Sequence, residues 1–97
     1  MNKKLRVSQC WYTPEQYDEI KSMMEDGHLL PIRYAHWLEG AEQREEQARS
    51  RGADAVRVPF DPAEFRRFCA HFGIPLNADS RAKFAAIKSS QDTKHAH

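Results

Sequence analysis

Apolar and polar residues alternate at Leu5-Arg6-Val7-Ser8, and the bulky Cys10-Trp11-Tyr12 follows, which together predict a strand. The rhythm then changes. Tyr17, Ile20, Met23 and Met24 share one face of a helix predicted from Pro14 to about Asp26, with Gly27 as a left-handed stop. After the apolar connector His28-Leu29-Leu30-Pro31, a second helix is predicted from Arg33 to Gly52. Its apolar stripe of Tyr34, Trp37, Leu38 and Ala41 occupies only the first half. The second half, 42–51, is polar apart from Ala48, so it is expected to project past the core, solvated or against a partner. Ala55-Val56-Arg57-Val58-Pro59-Phe60 predicts a second strand, kept short or at an edge by Pro59. Phe65, Phe68, Cys69 and Phe72 form the strongest stripe and predict a helix from Pro62 to Phe72, closed by Gly73. A fourth helix follows Asn77 as its cap and should bury Phe84, Ile87 and its alanines.

Two helix starts share one signature. Thr13-Pro14-Glu15-Gln16 and Asp61-Pro62-Ala63-Glu64 place a capping side chain first, proline second and Glu or Gln fourth. The predicted order is therefore β-α-α-β-α-α. The fold class is α+β, mainly helical, with a small two-stranded sheet packed on four helices. Two strands need helices on one face to be stable, and an edge that Pro59 does not blunt could pair with a second chain. Residues 1–88 read as a single globular domain and 89–97 as a flexible polar tail.

Composition sharpens this in two respects. Hydrophobic residues make up 40% and charged residues 30% of 97, so the core must lean on two Trp, five Phe and three Tyr. A core of that kind is often completed by self-association. The net charge of +1 gives no global reason to bind nucleic acid or membrane. Its distribution is uneven: residues 1–12 carry three bases and no acid, 13–52 nine acids against five bases, and 53–97 seven bases against five acids. Such a dipole suits head-to-tail or partner contacts. No run approaches the roughly 18 apolar residues of a membrane helix, and no apolar run follows the basic start as in a secretory signal. Cys10 and Cys69 read as free thiols in a reduced, cytoplasmic setting, with a disulfide between them as the alternative.

The stretch Val56-Arg57-Val58-Pro59-Phe60-Asp61-Pro62, with Phe65, Phe68-Cys69, Gly73, Arg81 and Phe84-Ala85, resembles a family of small uncharacterised bacterial proteins. Glu15-Gln16-Tyr17, Met24-Glu25-Asp26, Leu30-Pro31 and Trp37-Leu38 are similar too. The resemblance spans most of 13–86. It implies a bacterial, soluble protein and brings no activity, cofactor or site residue with it.

Candidate chemistry is sparse. Cys69 and His71 are two apart on a helix and point away from each other, and Cys69 lies in the phenylalanine stripe as a small hydrophobe. A metal site of Cys10, Cys69, His71 and His36 can be drawn, but no ligand spacing supports it. His95-x-His97 resembles a metal-binding tail fragment and reads more simply as an incidental tail. Adjacent acids such as Asp18-Glu19 and Glu45-Glu46 diverge on a helix, and the glycines form no phosphate loop. No catalytic, cofactor or metal residue is assigned. The leading expectation is a non-catalytic protein-interaction module, homodimeric, built through the second helix or an exposed strand edge. Trp37, Glu45 and Arg49 are its candidate partner-binding residues. The alternative is a nucleic-acid accessory protein using Arg66, Arg67, Arg81 and Lys83. A small enzyme or metal protein comes third.

Overall fold

The alternation near the N-terminus becomes strand β1, Arg6–Trp11, in the computed structural model, which describes residues 5–95, with side chains for 5–90. Helix α1 (Tyr17–Met23), a single 3-10 turn (Gly27–Leu29) and helix α2 (Tyr34–Ser50) lead to strand β2 (Asp54–Pro59). Helices α3 (Pro62–Phe72) and α4 (Ala78–His95) complete the order. The fold is α+β and mainly helical, with one two-stranded sheet, as the hydrophobic pattern predicts.

The strands run parallel, from Arg6 opposite Asp54 to Trp11 opposite Pro59. Parallel neighbours need a long crossover, and α1, the 3-10 turn and α2 supply it. Each face of the sheet is then covered. Gln9 Nε2 donates to the Ala41 carbonyl, Trp11 meets Trp37 edge-on at 5.2 Å between ring centroids, and Arg57 reaches Glu45, so α2 lies on one face. On the other, Cys10 Sγ donates to the Arg81 carbonyl at 3.5 Å and Arg6 to Ser89, which brings in α4. Between these layers sit Tyr12, Tyr17, Ile20, Trp37, Val58, Phe60, Phe65 and Phe84, all buried. Their rings pack edge-on and tilted, as at Tyr12–Phe60 (5.2 Å, 84°) and Phe65–Phe84 (5.4 Å, 79°).

The two helix-start signals behave differently. Asp61 Oδ1 accepts the N–H of Ala63 at 3.0 Å and of Glu64 at 3.5 Å, with Pro62 at the first helical position. The reciprocal half of that box is absent, because Glu64 pairs with Lys88 of α4 at 2.8 Å. Thr13 instead closes a turn. Its hydroxyl accepts the Gln16 N–H and donates to Gln16 Oε1, and α1 starts only at Tyr17. Residues 14–16 therefore lie outside the helix that the signature predicts there.

Three other expectations are corrected, and a fourth lies largely outside the described residues. Gly27 is no left-handed stop: among the described residues only Gly52 and Gly73 have positive φ. It opens the 3-10 turn, and a Cβ there would lie 2.0 Å from the Lys21 carbonyl oxygen, so close approach demands glycine. The polar half of α2 does not project: Ala41, Glu45 and Ala48 are buried, because small side chains and one neutralised carboxylate let α2 lie flat on β2. Ile87, expected inside, is 40% exposed, and Phe72 is 56% exposed at the end of its stripe. The expected tail from Ser89 begins at a buried residue within α4, while side chains from 91 on and residues 96–97 lie outside the described residues.

Candidate functional site

The parallel ladder decides which backbone groups face outward. Asp54 N–H donates to the Leu5 carbonyl at 2.8 Å. Carried through the register, that alternation turns the N–H and C=O of Val7, Gln9 and Trp11 toward β2. Those of Ser8 and Cys10 point the other way, to the open side of β1. The sheet ends at β1, and among the described residues no backbone hydrogen bond reaches them from that side.

A cleft of about 410 Å³ occupies that open side. Its floor is Ser8, Gln9 and Cys10; α2 contributes His36, Trp37, Gly40 and Arg44, and α4 contributes Ala78, Arg81, Ala82 and Ala85. Leu29, Leu30 and Pro31 close one end. Gly40 on α2 and Ala78, Ala82 and Ala85 on α4 leave room between the walls where the next strand of a sheet would lie. The volume falls within the roughly 300–1,000 Å³ of ligand-binding clefts.

Electrostatics inside the cleft is divided between two arginines. Arg81 is spent within the fold: Nη1 and Nη2 donate to Asp26 Oδ1 and Oδ2 at 2.9 and 3.1 Å, and both side chains are largely buried. Asp26 also accepts the Ala78 N–H, so it joins Asn77, which accepts the Ser80 N–H, in capping α4. The Arg81 guanidinium, by hydrogen bonding, holds the Asp26 carboxyl below the usual carboxylate range. Arg44 is held differently. Its Nε donates to Gln9 Oε1 at 2.6 Å, and the same Gln9 amide is anchored on the Ala41 carbonyl. No carboxylate pairs with Arg44 among the described residues, and it stands exposed at the cleft mouth.

The residues picked out in the sequence are scattered. Trp37 lies buried in the aromatic core against Tyr12 at 4.6 Å, with its edge in the cleft wall. Glu45 is 5% exposed and accepts two hydrogen bonds from Arg57, at 2.7 and 2.9 Å, which hold its carboxyl below the usual range. Arg49 stands exposed and approaches the same carboxylate at 3.7 Å. Arg57 in turn lies over the Trp11 ring at 3.9 Å, so this cluster rivets α2 to the sheet. Arg66 and Arg67 on α3 and Lys83 on α4 are exposed, away from the paired Arg81. Gln9, Arg44 and the Ser8–Cys10 edge were not singled out by sequence reasoning. Neither a charge run nor a motif marks them, and two strand signals alone leave two edges open without saying which one borders a cleft.

Both cysteines are free and buried. Burial pushes the Cys10 thiol up to about 12 and raises Cys69 as well, so neither supplies a thiolate nucleophile near neutral pH. Among the described residues no three metal-ligating side chains come together, and no helix is long and apolar enough to cross a membrane. His97 lies outside the described residues, as does the side chain of His95. No family model, curated protein or solved structure matches the chain.

Proposed function

We propose that this protein is a non-catalytic interaction module that receives an extended segment of a protein chain along the open edge of β1. One observation carries the reading: among the described residues, no backbone hydrogen bond reaches the outward N–H and C=O groups of Ser8 and Cys10, at the floor of a cleft walled by α2 and α4. Adding a strand there would satisfy those groups and give main-chain affinity, with the walls selecting side chains. The second helix, one of the two alternatives expected for the interface, walls this cleft, and the edge it borders belongs to β1 and not to the strand that carries Pro59.

Amide hydrogen exchange tests it. Peptides selected on the intact protein from a random linear library should slow exchange at Ser8 and Cys10. Binding that leaves both amides exchanging as in the free protein removes the reading. Self-association is the homodimeric form of the same proposal, in which the segment comes from a second copy. Light scattering over a dilution series should then show a mass rising to that of two chains. A monomer mass throughout leaves a different protein as the partner.

The nucleic-acid reading rests on Arg66, Arg67 and Lys83, which stand exposed without a carboxylate partner among the described residues. Arg81 is withdrawn from it by Asp26. A gel shift at low salt that collapses as salt rises supports it, and no shift at low salt removes it.

A further inference from the structure

The cleft discriminates between strands by charge. We infer that the segment docked on β1 carries an Asp or Glu side chain, which Arg44 recognises at the cleft mouth. The inference rests on the docking reading above. Three observations lead to it. First, among the described residues Arg44 is the only arginine lining the cleft whose guanidinium has no carboxylate, since Arg81 is committed to Asp26 through two hydrogen bonds. Second, Arg44 is pre-positioned. Gln9 holds its Nε at 2.6 Å and is itself tied to the Ala41 carbonyl, so both Nη groups remain to donate without first being ordered. Third, among the described residues no acidic side chain lines the cleft to compete for those donors.

Gln9 is also a residue of β1, so the guanidinium it holds is fixed relative to the edge a docked strand would follow. A planar guanidinium with two free donors matches a carboxylate bidentately. The opposite end of the cleft is apolar, lined by Leu29, Leu30 and Pro31 beside Ala78 and Ala82. The occupant is thus an extended segment with an acid at one end and an apolar side chain at the other. An acid at that mouth should also speed encounter and make binding weaken as salt rises.

The test uses the intact chain and a random linear peptide library displayed on phage, with the enriched peptides then synthesised. Enriched sequences should share an acid at a constant offset from an apolar residue. Arg44→Glu should weaken them about tenfold or more, and changing the peptide acid to Lys should restore binding to that variant. Arg44→Gln, which keeps a neutral donor, should fall between. Peptides that protect the Ser8 and Cys10 amides yet carry no acid, or bind Arg44→Glu and Arg44→Gln as well as the parent, overturn the acidic specificity and leave strand docking standing. Enriched peptides that protect neither amide overturn the docking reading, and this inference with it.

Discussion

At the scale of single residues, the same signature does two jobs. Asp61 caps α3 through two backbone N–H groups, whereas Thr13 satisfies only Gln16 within a turn that precedes α1. Asp61→Ala should therefore cost about 1 kcal/mol by denaturant unfolding, the usual value of an N-cap, and Thr13→Ala clearly less. Equal losses would mean that Thr13 acts as a true cap. Asn77 and Asp61 were legible because a cap is a local device, written within four residues. Gly27 was misread for the opposite reason. A glycine in sequence does not say whether it serves a left-handed turn or a close approach, and the Lys21 carbonyl that decides the matter sits a helix turn away.

Between elements, two ion pairs act as clamps. Arg81–Asp26 ties α4 to the segment before the 3-10 turn, and Arg57–Glu45 ties β2 to α2. In both, hydrogen bonds from the arginine depress the carboxyl's folded pKa. Stabilisation from such groups is fully present above the ordinary carboxylate range. It is lost as pH falls through that range and on through the depressed folded values. Denaturant midpoints measured from neutral pH downward should show this acid limb. Asp26→Asn should lower stability at neutral pH and flatten the limb, while an unchanged limb would show that Asp26 is not a source of it. The clamp on Glu45 also explains why α2 was only half legible. Its polar second half resembles a solvated surface, since nothing in the helix itself reveals that Arg57, on a strand, will neutralise a buried acid. Helix α3 was legible end to end, because its stripe, cap and Gly73 stop are all contained within it.

For the whole molecule, one core joins both halves of the chain, with Cys10 and Cys69 inside it on opposite sides of the order of elements. Their elevated thiol pKa values and burial predict slow modification by a thiol reagent in the native state at mildly alkaline pH. Both should become fast in denaturant, at a rate that follows global opening. Rapid native labelling of Cys10 would show that the cleft opens as far as its floor. The α+β class and the element order could be read from periodicity. Strand direction could not, and with it went the open edge, the cleft and Arg44, because all depend on how distant segments meet.

The parallel pairing of β1 with β2 also bears on how the chain folds. Every rung of that ladder joins residues nearly half a chain apart, with α1, the 3-10 turn and α2 in the crossover between them. Contacts of such long range go with slow folding, whereas the contacts within α3 and α4 are local. During synthesis, β1 emerges before β2, and its edges are both bare until residue 59 has emerged. The edge that the finished molecule keeps open on one side is, in the nascent chain, open on both.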